Sequence, residues 1–177
     1  TSGQTFPSDF RAGAREGFVT FLPPSVGLVP WALVMGMAMA STGFTPLQAM
    51  GKNIIVFAGT AQLGTLPLIA AEAPLWLIVV TALALNLRFV IFSSLWRGYF
   101  QSQPLQQRLA IGYFSGDVIF VAFMKRFPRV EPGPDQSPYF WGAASLNWLA
   151  WQIPSVAGIL LANEIPLSWG LGFAGVL

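Results

Sequence analysis

The sequence has no cysteine and no histidine, and only nine lysines and arginines and seven aspartates and glutamates in 177 residues. The two missing residue types exclude disulfides, thiolate nucleophiles, imidazole metal ligands and histidine general bases. The scarcity of charge excludes a water-soluble domain of ordinary make-up, which carries about 25% charged residues where this chain has 9%. With 54% of its residues hydrophobic, the chain cannot cover a water-facing surface, and its solvent must be largely lipid. The formal net charge of +2 reflects few charges rather than a basic patch, so nucleic acid is not an expected partner.

What is present is a series of long apolar runs. Residues 17–42, 53–71, 136–163 and 165–177 carry no charge, 73–96 carry only Arg88, and 109–124 carry only Asp117. A helix crossing a bilayer needs about 20 apolar residues. The runs predict an all-α polytopic transmembrane protein, a single transmembrane domain over 1–177 with five spans and the start of a sixth, the fourth short or bent. The ending "PLSWGLGFAGVL" has no polar cap, from which further spans beyond the C-terminus are expected. The first run is too long for a signal peptide and lacks a small-residue cleavage site. Arg11, Arg15, Lys125, Arg126 and Arg129 fall on one side, Lys52, Arg97 and Arg108 on the other, which predicts a cytoplasmic N-terminus. The stretch "RVEPGPDQSP" (129–138) reads as a water-exposed turn. Pro24-Ser25-Val26-Gly27 echoes Pro154-Ser155-Val156-Ala157-Gly158, a short trace of the internal repeats from which transporters are often built.

Arg88 lies nine residues before Arg97, and Asp117 nine residues after Arg108. If the third and fourth runs form an antiparallel hairpin, both reach the same depth, about 13 Å below the surface marked by Arg97 and Arg108. That is too deep for an arginine to snorkel comfortably. Each charge costs about 2.5 to 3.5 kcal/mol at a membrane centre. Two readings follow. Arg88 and Asp117 pair to lock a hairpin, or they line a polar cavity and meet a substrate or a proton, the default for intramembrane ionisable groups. The fixed fork of an arginine suits a carboxylate. For Asp117, a proton carrier and an ion-pair partner both remain open.

The first run holds Pro23, Pro24, Pro30, Gly27 and Gly36, and the second holds Gly59, Thr60, Gln62, Gly64, Thr65 and Pro67. Proline and glycine interrupt helices, and the exposed ends of interrupted membrane helices bind ions and carboxylates. Small residues also let helices pack closely, which accounts for the glycines but leaves Gln62 needing partners in lipid. The 59–62 stretch is therefore a site candidate. In the fifth run Trp141, Trp148 and Trp151 read as packing or interface anchors. Asn147 and Gln152 need hydrogen bonds there, and Asn147 is either a further site residue or a helix–helix bond.

Four stretches carry a resemblance. "FRAGAREGFVTFLPPSVGLVPWALVMGMAM" (10–39), "VFAGTAQL" (56–63), "LNLRF" (85–89) and "GDVIFVAF" (116–123) resemble, in order and spacing, motifs of the AzlC family of branched-chain amino acid exporters. The resemblance covers nearly the whole chain. It implies a secondary active exporter subunit in the bacterial cytoplasmic (inner) membrane. It further implies branched-chain amino acids and methionine as substrates, a proton gradient as the driving force, and a small AzlD-type membrane subunit as partner. Carried over by motif, Gly59 and Gln62 fall in the family's second-segment motif, Asn86 and Arg88 in its third, and Asp117 at the acidic position of its fourth. Val118 stands where the family usually has glutamate, and Trp31-Ala32 where it often has Phe-Gly. These departures bear on substrate identity and proton coupling more than on fold.

No cofactor or metal is expected. An intramembrane aspartyl protease needs two carboxylates at one site, and only Asp117 lies inside a run, so the chain does not read as an enzyme. The remaining alternatives are a carrier or channel for another small carboxylate and a non-transporting membrane assembly subunit.

Overall fold

The computed structural model describes residues 10–162. Among these there are eight helices and no strands: α1 (Phe10–Ser41), α2 (Pro46–Ile55), α3 (Gly59–Ala70), α4 (Leu75–Asn86), α5 (Arg88–Phe100), α6 (Leu105–Phe114), α7 (Asp117–Arg126) and α8 (Gln136–Leu161). The all-α expectation holds. α1 is long and apolar enough to cross a membrane alone, and α4 with α5 pass the same test if the break at Leu87 is bridged. The last apolar run, 165–177, lies outside the described residues.

The interruptions fall elsewhere than the prolines suggest. α1 runs as one helix through Pro23, Pro24 and Pro30, and α8 runs through Pro154. α1 ends at Gly43, whose φ of +83° is the left-handed conformation that terminates helices most readily at glycine. Thr45 then caps α2 in a capping box, its hydroxyl accepting from the Gln48 N–H at 3.3 Å and its own N–H donating to Gln48 Oε1 at 3.0 Å. Each shorter run is two helices rather than one. The second run breaks at 56–58, the third at Leu87 and the fourth at Ser115 and Gly116.

The chain divides into two compact units. Unit 1 holds described residues 10–25 with Phe89–Trp148, and unit 2 holds Val26–Arg88 with residues 149–162. α1 and α8 each give one half to each unit.

Unit 1 has an aromatic core. Trp96, Tyr99, Phe100, Phe123, Tyr139 and Phe140 are all buried. The Trp96 ring lies 4.8 Å from that of Phe123 and 5.4 Å from that of Phe140, both edge-on, the arrangement favoured by aromatic quadrupoles. At the rim, Arg126 Nε donates to Glu16 Oε1 at 2.7 Å, and this hydrogen bond raises the arginine's pKa.

Unit 2 has a largely aliphatic core of Ala32, Met35, Met39, Ala49, Leu66 and Ile159, with Trp151 the aromatic member. Its α4 buries no residue. Leu75, Trp76, Val80 and Leu83 are exposed there, an outward apolar face of the kind lipid solvates.

In both units a glycine of α1 meets the backbone of α8, and a glycine of α8 meets the backbone of α1. In unit 1 a Cβ on Gly17 would strike the Tyr139 carbonyl, and one on Gly142 the Ala14 carbonyl. In unit 2 a Cβ on Gly36 would strike the Ser155 carbonyl, and one on Gly158 the Leu33 carbonyl. Such close approach is what small residues permit in membrane helix pairs.

Candidate functional site

The break between α2 and α3 is built from buried amides. Asn53, in the last turn of α2, is fully buried and is the hub. Its Nδ2 donates to Gln152 Oε1 at 2.6 Å. Its Oδ1 accepts from Trp151 Nε1 at 3.1 Å and from Gln62 Nε2 at 3.4 Å. Its backbone carbonyl accepts from Gln152 Nε2 at 3.2 Å. Gln62 Nε2 also donates to the Val56 carbonyl, a group freed by the break. The side chains of Gln62 and Gln152 thus do for the end of α2 what a further helical turn would have done. Stopping a helix inside an apolar run leaves buried carbonyls that must find partners, and amides supplied from α3 and α8 meet that need.

The opposite side of the break is treated differently. No side chain caps the N-terminus of α3. The first N–H groups of a helix, with the positive end of its dipole, favour an anion. Gly59 keeps this end low in profile, since a Cβ there would come within 2.7 Å of the Trp151 ring. Thr60 is exposed and accepts from Arg88 Nη2 at 2.7 Å. A guanidinium therefore stands at the first turn of an uncapped helix. Two acceptors in the same unit, Gln62 Oε1 and Asn86 Oδ1, are buried with no protein partner. Buried polar atoms are almost always paired in native structures, so each of these acceptors is an exception that calls for a partner. Lys52 Nζ donates to Thr65 Oγ1, further along α3, at 3.4 Å.

Five of the seven sequence-predicted site residues, Gly59, Thr60, Gln62, Asn86 and Arg88, belong to unit 2. The structure joins Arg88 to Thr60 and ties Gln62 into the Asn53 cluster. Asn147 and Asp117 belong to unit 1. There Asp117 opens α7, whose N-terminus has no side-chain cap. Buried Asn147 has its amide nitrogen beside Gly116, 3.4 Å from where a Cβ would sit. Ser115, at the same break, accepts from Trp96 Nε1 at 2.7 Å. Among the described residues no three His, Cys, Asp or Glu side chains come together to hold a metal.

Sequence reasoning missed Asn53, and it took Trp151 for an anchor, although its indole N–H is part of the amide cluster. A signal for Asn53 existed. It lies nine residues before Gln62, so two amides bracket the stretch where the helix stops.

The chain belongs to the AzlC family, whose description, AzlC protein, matches residues 23–165. It is 25% identical over 153 residues to the inner membrane protein YgaZ of Escherichia coli K12, an alignment covering 86% of this chain and 62% of that protein. It is 30% identical over 81 residues to an uncharacterized membrane protein of Archaeoglobus fulgidus, covering 46% of this chain and 36% of that one. The chain thus spans less than two thirds of the length of each. No solved structure matches. The family and the apolar helices identify a helical membrane protein, and the resemblance of the four motifs is borne out at the level of the family.

Proposed function

We propose that the chain is a subunit of a secondary active transporter that exports branched-chain amino acids and methionine from the cytoplasm, driven by the proton gradient and acting with a small AzlD-type membrane subunit. The observation that carries the reading is the asymmetric break in unit 2. Its carbonyl side is closed by amides, while its N–H side carries no side-chain cap and has Arg88 at its first turn. An amino acid is a carboxylate and an ammonium on one carbon. In this reading the carboxylate takes the α3 N-terminus and Arg88, displacing or sharing the Thr60 contact. The ammonium takes the acceptors Gln62 Oε1 and Asn86 Oδ1, which lack protein partners. Apolar walls then receive the side chain. Such walls separate substrates by only about 1 to 3 kcal/mol per methylene, so specificity among leucine, isoleucine, valine and methionine is broad. Five crossings, a cytoplasmic N-terminus, and rocking of helices about a fixed midplane site to give alternating access complete the proposal.

The test is counterflow of labelled leucine in proteoliposomes, with the chain alone and with an AzlD-type subunit, against empty liposomes. Exchange competed by isoleucine, valine or methionine supports the proposal. Absence of exchange in a folded complex breaks the link to these substrates. Accumulation driven by an imposed proton gradient separates a carrier from a channel.

A further inference from the structure

Unit 1 holds a cavity at the turn between α5 and α6. It is half-open, has a volume of about 400 Å³ and is lined by Ser93, Trp96, Arg97, Phe100, Leu105, Arg108, Leu109, Ile111 and Gly112. Trp96, Phe100 and Ile111 are buried and form its apolar floor, while Leu105 and Leu109 are 66% and 65% exposed at its rim. Arg97 sits in the last turn of α5 and Arg108 in the first turn of α6. Among the described residues neither has a carboxylate partner within ion-pair distance, unlike Arg126, which pairs with Glu16. A cation in a first turn is opposed by the helix dipole. α6 also begins at Pro104 with no side-chain cap, so its free N–H groups add to the same positive spot. Two guanidiniums and an uncapped helix start thus converge over an apolar floor, with no acidic lining.

We propose that this cavity binds the phosphate headgroup of an anionic phospholipid. Arg97 and Arg108 fork onto the phosphate, and the acyl chains run over Leu105 and Leu109. Arginine pairs with phosphate through two parallel hydrogen bonds, and basic pockets between membrane helices take anionic headgroups. The two arginines flank the short 101–104 turn between α5 and α6, which this proposal sets at the level of the headgroups. The lining also selects among ligands. An amino acid or a phosphatidylcholine brings its own cation, and this cavity has no carboxylate to meet it. An anion with apolar tails satisfies both halves of the wall.

The test uses the full chain in a nonionic detergent and follows thermal unfolding while phosphatidylglycerol, phosphatidylcholine or inorganic phosphate is titrated. Phosphatidylglycerol is expected to raise the midpoint, and the other two are not. In R97Q/R108Q its affinity is expected to fall about tenfold or more, the worth of one lost charge-assisted hydrogen bond. An equal rise with phosphatidylcholine overturns the proposal, as does wild-type affinity in R97Q/R108Q. A rise reproduced by inorganic phosphate alone overturns the lipid as the source of the anion. Should R97Q/R108Q not fold, R97K, which keeps the charge and loses the fork, decides the matter. Weakened phosphatidylglycerol binding supports the site, and unchanged binding removes it.

Discussion

In unit 2 the interrupted helix has its carbonyl end closed by Gln62 and Gln152, and a cation, Arg88, at its N–H end. In unit 1 the interruption at Ser115 and Gly116 is followed at once by a carboxylate, Asp117, in the first turn of α7. Both units meet the same problem of a helix start inside apolar surroundings, where the positive end of the dipole seeks an anion. Unit 1 supplies that anion from its own sequence. The first turn of α3 holds no acidic residue, and Arg88 donates to Thr60 there. Under the proposed function unit 2 takes its anion from the substrate, and a local change in either unit tests that division.

The largest effects belong to what the units share. Gly17 and Gly36 each lie against a carbonyl of α8, and backbone pressed on backbone has no side chain to move aside. Gly17→Val and Gly36→Val are each expected to destabilise by about 3 kcal/mol or more, the upper end of overpacking. Thermal unfolding in detergent checks this, and a shift in only one variant would show that the two crossings differ in kind.

The polar and aromatic cores separate next. Asn53→Ala removes the partner of the Trp151 indole and of Gln152 Oε1, leaving two buried groups unpaired at about 1 to 3 kcal/mol each. Ser115→Ala leaves one, the Trp96 indole, and is expected to cost about 1 kcal/mol or a little more. Equal midpoints for the two variants would mean that the amide cluster is no more central to unit 2 than Ser115 is to unit 1.

How much of this could be read in the sequence depends on how local each feature is. α1 and α8 are legible because continuous charge-free runs of 26 and 28 residues match long helices. Arg88 is legible because one charge stands alone in an apolar run, and 59–62 because small and polar residues crowd together. The positions of the breaks are not legible. Three prolines leave α1 whole, whereas the proline-free 56–58 stretch stops a helix. The reason is that the 56–58 break is held by Gln152 and Trp151, about 100 positions away in sequence. Asn53 is hidden for the same reason. Beside Lys52 it reads as the rim of a span, and only the contact with α8 makes it a hub.

For transport, Arg88→Ala is expected to weaken substrate binding about 10- to 100-fold, corresponding to the roughly 1.5 to 3 kcal/mol of a charge-assisted bond, while the chain still inserts. Arg88→Lys keeps the charge, loses the fork and is expected to recover part of the affinity. Competition of unlabelled leucine in counterflow measures both. Wild-type affinity in Arg88→Ala would return the Arg88–Thr60 bond to a purely structural brace and erase the contrast between the units.

The smallest and most discriminating change is Asp117→Asn. A carboxylate in the first turn of α7 is worth about 0.3 to 1 kcal/mol through the helix dipole, and asparagine keeps the shape and one acceptor oxygen. The stability change is therefore small. If Asp117 only fills the start of α7, transport in Asp117→Asn keeps the wild-type dependence on pH. If it also carries the coupled proton, the amide cannot titrate. The expected outcome is then a flattened pH profile and loss of proton-driven accumulation, with leucine–leucine exchange retained. Because exchange needs only the substrate site and accumulation needs the proton as well, the two assays on one variant separate a proton role of Asp117 from a substrate role. An unchanged profile in both leaves Asp117 as a first-turn carboxylate that only complements the α7 dipole.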